Sequence, residues 1–87
     1  MVPHTEDKTN AALVLGSKIR ALRKRLQRTL DETATAAGIS KPFLSQVERG
    51  LATPSITSLA GIARALGVTV QFFVETATEA KSVRRAD

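Results

Sequence analysis

Signals that start and stop helices follow one another closely from residue 29 to residue 67, so any helices formed there must be short. Thr29 and Glu32 make a capping-box pattern, in which a hydroxyl and a carboxylate satisfy two free amides at a helix start. Gly38 then supplies the left-handed residue that commonly closes a helix. We therefore expect a helix over about 30–37, whose Ala-lined inner side lets another backbone approach closely.

An apolar stripe precedes this helix. Leu15, Ile19, Leu22 and Leu26 recur at spacings of four, three and four residues, as on one face of an amphipathic helix. The spacing predicts a first helix over about 12–27.

The third helix begins near a Pro and ends at a Gly. Either Ser40 or Lys41 caps it, and it ends at Gly50. Pro42 is expected at the first helical position with Lys41 at the cap, because Pro disfavours helical geometry in the residue before it.

A fourth helix begins at Pro54 and Ser55 and ends at Gly67. Gly61 inside it should cost about 1 kcal/mol relative to Ala. The residues predicted to face inward are Ile56, Leu59, Ile62, Ala63 and Leu66. A final element over 68–74 is either a helical turn or, on propensity alone, a strand.

Polar segments without periodicity flank these elements. Residues 1–11 are interpreted as a flexible N-terminal arm and residues 75–87 as a polar linker or tail, which leaves one domain over 12–74. His4 lies in the arm, where a lone His is far more often inert than a metal ligand.

The chain has 87 residues and no Cys, which fits one small domain without disulfides or thiolate metal sites. Its core must come from Leu, Ile, Val, Ala and three Phe. Of Phe72 and Phe73, one is expected to fill the core and the other to meet a two-fold partner. No apolar run reaches the ~20 residues of a membrane span and no signal-peptide segment is present, which favours the cytoplasm.

Thirteen Lys and Arg against eight acids give a net charge of +5 and a pI near 10.5, which favours an anionic partner. The densest basic run is KIRALRKRLQR, residues 18–28, which contains no acid. On an amphipathic helix such a run is usually a solvated face, from which some members approach phosphates.

Helix two, the turn at Gly38 and helix three make a helix-turn-helix inside a bundle of about five short helices. Helix three is apolar on one side. Its polar side spreads over ~140° at 100° per residue and consists of Lys41, Pro42, Ser45, Gln46 and Arg49. In the DNA major groove a Gln amide can bond adenine, a Lys reaches guanine acceptors and a Ser bonds either kind. Arg49, at the helix end, would lie beside a phosphate.

Five segments occur in the order typical of one DNA-binding family: LGSKIRALRK, TLDETATAAGIS, FLSQVERG, PSITSLAGIARALGV and FF. Residues 15–73 resemble the lambda-repressor/Cro-like (XRE) helix-turn-helix family, most specifically in LSQVERG followed by a short loop and PS. The resemblance implies an all-α, compact, lambda-repressor-like bundle. It also implies sequence-specific binding of double-stranded DNA by a bacterial-type transcriptional regulator, expected to be a repressor and a homodimer.

The resemblance further implies roles for single residues. Base contacts carry over to Lys41, Pro42, Ser45 and Gln46, and backbone contacts to Ser40, Arg49 and Ser55. Arg23 and Glu48 match the positions where family members place a structural ion pair between helices one and three. Such a pair would also keep an acid from facing DNA.

Some positions depart from the family pattern. Thr33 replaces an inward Leu, Arg28 a common apolar residue, Gly61 a helix former, and Leu30 a Gln used against a phosphate. These changes are expected to weaken the core and to remove one phosphate contact. The tail is similar to the join with a small-molecule-sensing cupin barrel, so any sensing would need a C-terminal domain absent from this chain.

No catalytic site is indicated by the sequence. The single His lies in the arm, no carboxylate pair lies in an apolar setting, and no phosphate-cradling Gly loop occurs. We expect no enzyme activity, cofactor or metal. The main alternative is a protein-interaction module such as an antitoxin or a coactivator. RNA binding is disfavoured because the stacking aromatics of single-strand readers are lacking.

Overall fold

The structure, a computed structural model, describes the backbone of residues 3–74 and the side chains of residues 11–74. It contains, in chain order, α1 (Pro3–Arg25), α2 (Leu30–Ala37), α3 (Lys41–Glu48), α4 (Ile56–Leu66) and α5 (70–74). No strand occurs in residues 3–74, so the predicted all-α bundle is confirmed and the last element is a helical turn. None of these helices combines the length and hydrophobicity that crossing a membrane requires.

α1 is longer at its start than the sequence predicts. It begins at Pro3 rather than near residue 12, so the predicted start of the first helix was wrong. That residues 1–11 form a flexible arm stays a prediction. The first turn of a helix tolerates Pro because the missing amide would have no helical partner there. The predicted tail, 75–87, and the side chain of His4 lie outside the described residues.

α1 ends earlier than predicted, at Arg25, and its end uses an unusual residue. Gln27 has φ 58°, in the left-handed region that usually holds Gly after a helix. The amide of Arg28 donates to the carbonyl oxygen of Arg23 at 3.0 Å, as in a Schellman turn. Because the chain turns here, Leu26 leaves the predicted inward stripe and is 42% exposed.

α2 has the bounds and caps that the sequence predicts. The hydroxyl of Thr29 accepts a hydrogen bond from the amide of Glu32 at 3.0 Å. The Glu32 carboxylate accepts one from the amide of Thr29 at 2.9 Å, which completes the capping box. Gly38 ends the helix in the left-handed region, at φ 78°.

α3 begins at Lys41, one residue earlier than the start at Pro42 that the sequence favours. Its cap is Ser40, whose hydroxyl accepts a hydrogen bond from the amide of Phe43 at 3.1 Å. Lys41 is therefore the first helical residue rather than the cap, and Pro42 is the second. Pro loses nothing at this position because the first amides of a helix have no helical partner. The helix ends at Glu48.

A small core joins the five helices. Its buried apolar residues are Ile19, Ala34, Ala37, Leu44, Val47, Leu59, Ile62, Ala63, Leu66 and Phe73. Phe73 is 1% exposed, so one of the two Phe fills the core as predicted. Phe72 is partly buried and meets Phe73 edge to face, with 5.4 Å between ring centroids. Ile56 was wrongly predicted to face inward: it is the first residue of α4 and is 71% exposed.

α2 and α4 touch backbone to backbone. A methyl group at Gly61 would overlap the carbonyl oxygen of Ala37, the last residue of α2. The Ala-lined helix does let another backbone approach, as predicted. Gly61 carries a helix penalty of about 1 kcal/mol, and it is also the residue that lets these two helices pack closely.

Two other departures from the family pattern have different outcomes. Nη1 of Arg28 donates to the carbonyl oxygen of Ala65 at 2.9 Å. This carbonyl lies at the C-terminal end of α4, where a cation is favourable.

Thr33 is fully buried, and its hydroxyl has no hydrogen-bond partner among residues 11–74. An unpaired buried hydroxyl is destabilising, so Thr33 does weaken the core.

Replacing Thr33 by Val is expected to raise the free energy of unfolding by about 1 kcal/mol, because Val has a similar shape without the unpaired hydroxyl. Urea unfolding followed by circular dichroism measures the change. Thr35→Val, at an exposed position of the same helix, is the matched control and should change little. Equal effects at the two positions would contradict this explanation.

Candidate nucleic-acid interface

α3 lies against the rest of the bundle by one face only. Leu44 and Val47 are buried on that face, and Phe43 is half-buried at its edge. α2, the turn at Gly38 and α3 form the predicted helix-turn-helix. α2 packs on both α3 and α4, while α1 packs on α3.

The opposite face of α3 is open to solvent. Of the residues predicted to contact bases, Lys41, Pro42 and Gln46 are exposed and Ser45 is half-buried. The residues predicted to contact the DNA backbone are also exposed: Ser40, Arg49 and Ser55. The face is accessible to another molecule, and contact of these residues with DNA stays a prediction.

The single acid of α3, Glu48, points away from this face. Nε of Arg23 donates to Oε2 of Glu48 at 2.7 Å, and Nη2 donates to Oε1 at 3.0 Å. The two side chains are only 10% and 4% exposed. The predicted ion pair between α1 and α3 is thus present. Its bidentate arrangement is among the strongest charge-assisted contacts in proteins.

The guanidinium of Arg23 makes a third hydrogen bond. Nη1 donates to the carbonyl oxygen of Arg28 at 2.8 Å, so one side chain joins α1, α3 and the turn before α2. Because Glu48 is paired and buried, the charged residues on the outer side of α3 are the cations Lys41 and Arg49. A phosphate approaching this side meets no uncompensated acid of α3.

The residues predicted to contact phosphates lie at helix ends. Ser40 caps α3, and the hydroxyl of Ser55 accepts from the amide of Ser58 at 3.1 Å to cap α4. Arg49 follows the last residue of α3, and its Nε donates to the carbonyl oxygen of Ser45 at 3.4 Å. Helix starts present free amides and partial positive charge, both of which favour anions.

The basic run of residues 18–28 is only partly a solvated face. Arg23 is buried, and Nζ of Lys18 lies 4.5 Å from the ring centroid of Phe72, a cation–π distance. The other cations of the run are exposed: Arg20, Lys24, Arg25 and Arg28. The predicted solvated face is therefore present, while three members of the run, Lys18, Arg23 and Arg28, also make contacts within the domain.

One contact of α3 was missed by sequence analysis. A methyl group at Gly16 of α1 would overlap the carbonyl oxygen of Val47 and lie 2.6 Å from that of Glu48. α1 and α3 therefore touch backbone to backbone beside the ion pair. The spacing held a signal, because Gly16 is three residues before Ile19 and so shares the inward stripe of α1.

The helix-turn-helix family model HTH_3 matches residues 19–73. The chain belongs to this family. The HTH_3 match begins at Ile19 of α1 and ends at Phe73 of the core, so it covers α2, the turn, α3 and α4 without interruption. The resemblance to lambda-repressor/Cro-like proteins is thereby confirmed.

Several proteins similar to this chain are named as transcriptional regulators or repressors. An uncharacterized HTH-type transcriptional regulator of Mycobacterium tuberculosis is 45% identical over 56 residues, which are 64% of this chain and 40% of that protein. The immunity repressor protein of Bacillus phage phi105 is 34% identical over 62 residues, 71% of this chain and 43% of that protein. The chain thus spans about two fifths of the length of these relatives. The crystal structure of the clp gene regulator ClgR from Corynebacterium glutamicum matches with a TM-score of 0.74 and 32% identity, covering 87% of this chain and 81% of that one.

Replacing Arg23 by Met is expected to lower the free energy of unfolding by about 3 kcal/mol, because the Glu48 carboxylate would stay buried without its partner. Replacing both residues by Met should cost far less, since no charge is then left unpaired. Urea unfolding of the single and double variants measures this coupling. Arg20→Met, at an exposed cation of the same helix, is the control. A double variant no more stable than Arg23→Met would contradict the coupled pair.

Proposed function

We propose that the chain is a sequence-specific, double-stranded DNA-binding module of a transcriptional regulator, with α3 as its recognition helix. The observation that carries the proposal is the outer side of α3, where hydrogen-bonding and cationic residues are accessible. The single acid of α3, Glu48, is buried elsewhere and paired with Arg23. The family supports it, since the named relatives are transcriptional regulators and one is an immunity repressor. We propose a repressor that acts in the cytoplasm.

The size and packing of α3 suit the DNA major groove. The groove is about 12 Å wide and admits one helix, whose diameter with side chains is about 10–12 Å. Within residues 11–74, the bundle covers only the inner side of α3. The outer side can therefore reach base edges while Leu44 and Val47 remain in the core.

Each proposed base contact has chemistry that fits a base edge. The amide of Gln46 can donate and accept at adenine, and the ammonium of Lys41 can donate to the acceptors of guanine. Ser45 is shorter and half-buried, so it reaches only a base that lies close to the helix. Pro42 has no side-chain donor and suits an apolar contact such as a thymine methyl group.

The proposed backbone contacts would fix the register of α3 on the duplex. Arg49 extends the cationic side of α3, and Ser40 and Ser55 lie where α3 and α4 present their first amides. Phosphate contacts of this kind set orientation without reading sequence. Together they would hold the base-reading side chains in one position along the groove.

We further propose that two copies bind together, because one domain of this size makes few contacts. Two-fold related recognition helices would read half-sites about 34 Å apart. The copies would meet through the region of α5, where Phe72 is only partly buried, or through a further domain. The proposal for this chain involves no catalysis, metal or cofactor, and the link to a cupin sensing domain stays a prediction.

Selection of bound duplexes from a random pool, followed by sequencing, tests the proposed function. We expect an enriched motif with two-fold symmetry and an affinity that falls steeply as salt rises. Affinity for the selected duplex should exceed that for random duplexes by about 10³ or more. Binding without an enriched motif would favour a protein-interaction module of the antitoxin or coactivator type.

Gln46→Ala is expected to weaken binding to the selected duplex by about 1–3 kcal/mol and to relax preference at one base pair. Arg49→Ala should instead weaken selected and random duplexes alike and reduce the salt slope by about 1. Arg64→Ala is the control, because Arg64 is in the last turn of α4, roughly 13 Å along that helix from Ser55. Competition titrations with base-substituted duplexes measure these effects. An unchanged preference in Gln46→Ala would exclude Gln46 as a base reader.

A further inference from the structure

We propose that Gly16 is a positioning residue for DNA readout. It sets how closely the C-terminal half of α3 approaches α1, and so determines where the base-reading side chains lie relative to the phosphate contacts. The inference rests on the proposed function and adds to it a residue on the inner side of the bundle.

The atoms that Gly16 meets cannot move aside by themselves. A methyl group there would overlap the carbonyl oxygen of Val47, and would lie 2.6 Å from the carbonyl oxygen and 2.9 Å from the carbonyl carbon of Glu48. All of these are backbone atoms of α3. A side chain can rotate away from an added methyl group, but a helical carbonyl moves only if its helix moves. The distance between α1 and α3 therefore depends on the missing side chain.

Gly16 belongs to a row of contacts along one face of α1. One turn earlier, Leu13 lies against Gly50, two residues after the end of α3: a methyl group at Gly50 would lie 2.5 Å from Cδ2 of Leu13. One turn later Ile19 is fully buried in the core, and Arg23 then binds the carboxylate of Glu48. The row follows helical spacing, so α1 holds the C-terminal end of α3 at several points. At Gly16 the contact is made directly with backbone carbonyl groups of α3.

The position of this contact determines which DNA contacts it controls. The N-terminal end of α3 is joined to α2 by the short turn 38–40, while Gly16 meets residues 47 and 48 at the opposite end. An atom added at Gly16 would push away the C-terminal half and leave the N-terminal half in place. Gln46 and Arg49 would then move more than Lys41.

The cost of Gly inside a helix supports this assignment. Gly weakens a helix interior relative to Ala, because its backbone loses more freedom on folding. Gly16 is in the α-helical part of α1 rather than at its end, and no left-handed conformation requires it. The close approach of the Val47 and Glu48 carbonyl groups is what requires Gly at position 16.

Gly16→Ala in the 87-residue chain tests the inference, with binding measured to the duplex selected by the unchanged protein, to its single-base variants and to random duplexes. We expect the ratio of specific to random affinity to fall about tenfold or more, because the readers in the C-terminal half lose alignment. Affinity for random duplexes should stay within about threefold, since the exposed cations are untouched. Base preference should be lost first at the position assigned to Gln46.

Ile19→Val is the matched control: it removes a buried methyl group from the same face of α1 without adding an atom against α3. It should lower the melting temperature and leave the base-preference profile unchanged. A merely structural role of Gly16 would give the same result in Gly16→Ala. Circular dichroism establishes that each variant is folded at the assay temperature, and Thr33→Val provides a second background for Gly16→Ala.

Each outcome decides one question. An unchanged protein that does not discriminate among duplexes overturns the proposed function, and this inference with it. If the unchanged protein discriminates and Gly16→Ala keeps both its affinity ratio and its profile, only the inference on Gly16 is overturned. If Gly16→Ala does not fold in either background, Gly16 is required for folding rather than for positioning, which also overturns it.

Discussion

The guanidinium of Arg23 lies where three segments of the chain meet, and the orientation of α3 depends on how it is satisfied. Glu48 accepts two hydrogen bonds, at 2.7 and 3.0 Å, and the carbonyl oxygen of Arg28 accepts a third at 2.8 Å. A cation removed from water is strongly destabilising unless such partners surround it. Apolar contacts tolerate small rotations between helices, whereas these directional bonds do not. The pair therefore contributes a defined orientation to a core that contains few large side chains.

Close contacts between helix backbones help to stabilise a core that contains few large side chains. Gly61 of α4 meets the carbonyl oxygen of Ala37, and Gly16 of α1 meets those of Val47 and Glu48. Both contacts lie at the C-terminal ends of the two helices of the helix-turn-helix. α4 thus holds the first helix of that unit and α1 holds the second. Shorter distances increase the dispersion attraction between the paired helices.

Features encoded by neighbouring residues could be predicted from the sequence. The bounds of α2 followed from Thr29, Glu32 and Gly38, because caps and left-handed ends are local structures. Contacts between distant segments could not be predicted in this way. From the sequence, Gly61 is only a weak helix former, and its contact with Ala37 of α2 becomes visible only in the fold. The exposure of Ile56 likewise depends on which part of α4 packs against the other helices.

In the candidate site, too, local features could be predicted from the sequence and contacts between helices could not. The polar side of α3 followed from helical spacing alone, because it needs only the helix and its buried face. The Arg23–Glu48 pair followed from the family resemblance, since two residues on separate helices carry no local signal of their contact. On α3 the exposed polar residues are separate from the buried apolar ones, and this separation has a consequence for evolution. Changes at Lys41 or Gln46 remove nothing from the core, and surface substitutions usually shift the free energy of unfolding by less than ~0.5 kcal/mol. Under the proposed function, a duplicated gene would therefore acquire a new target in few mutational steps while its scaffold is inherited intact.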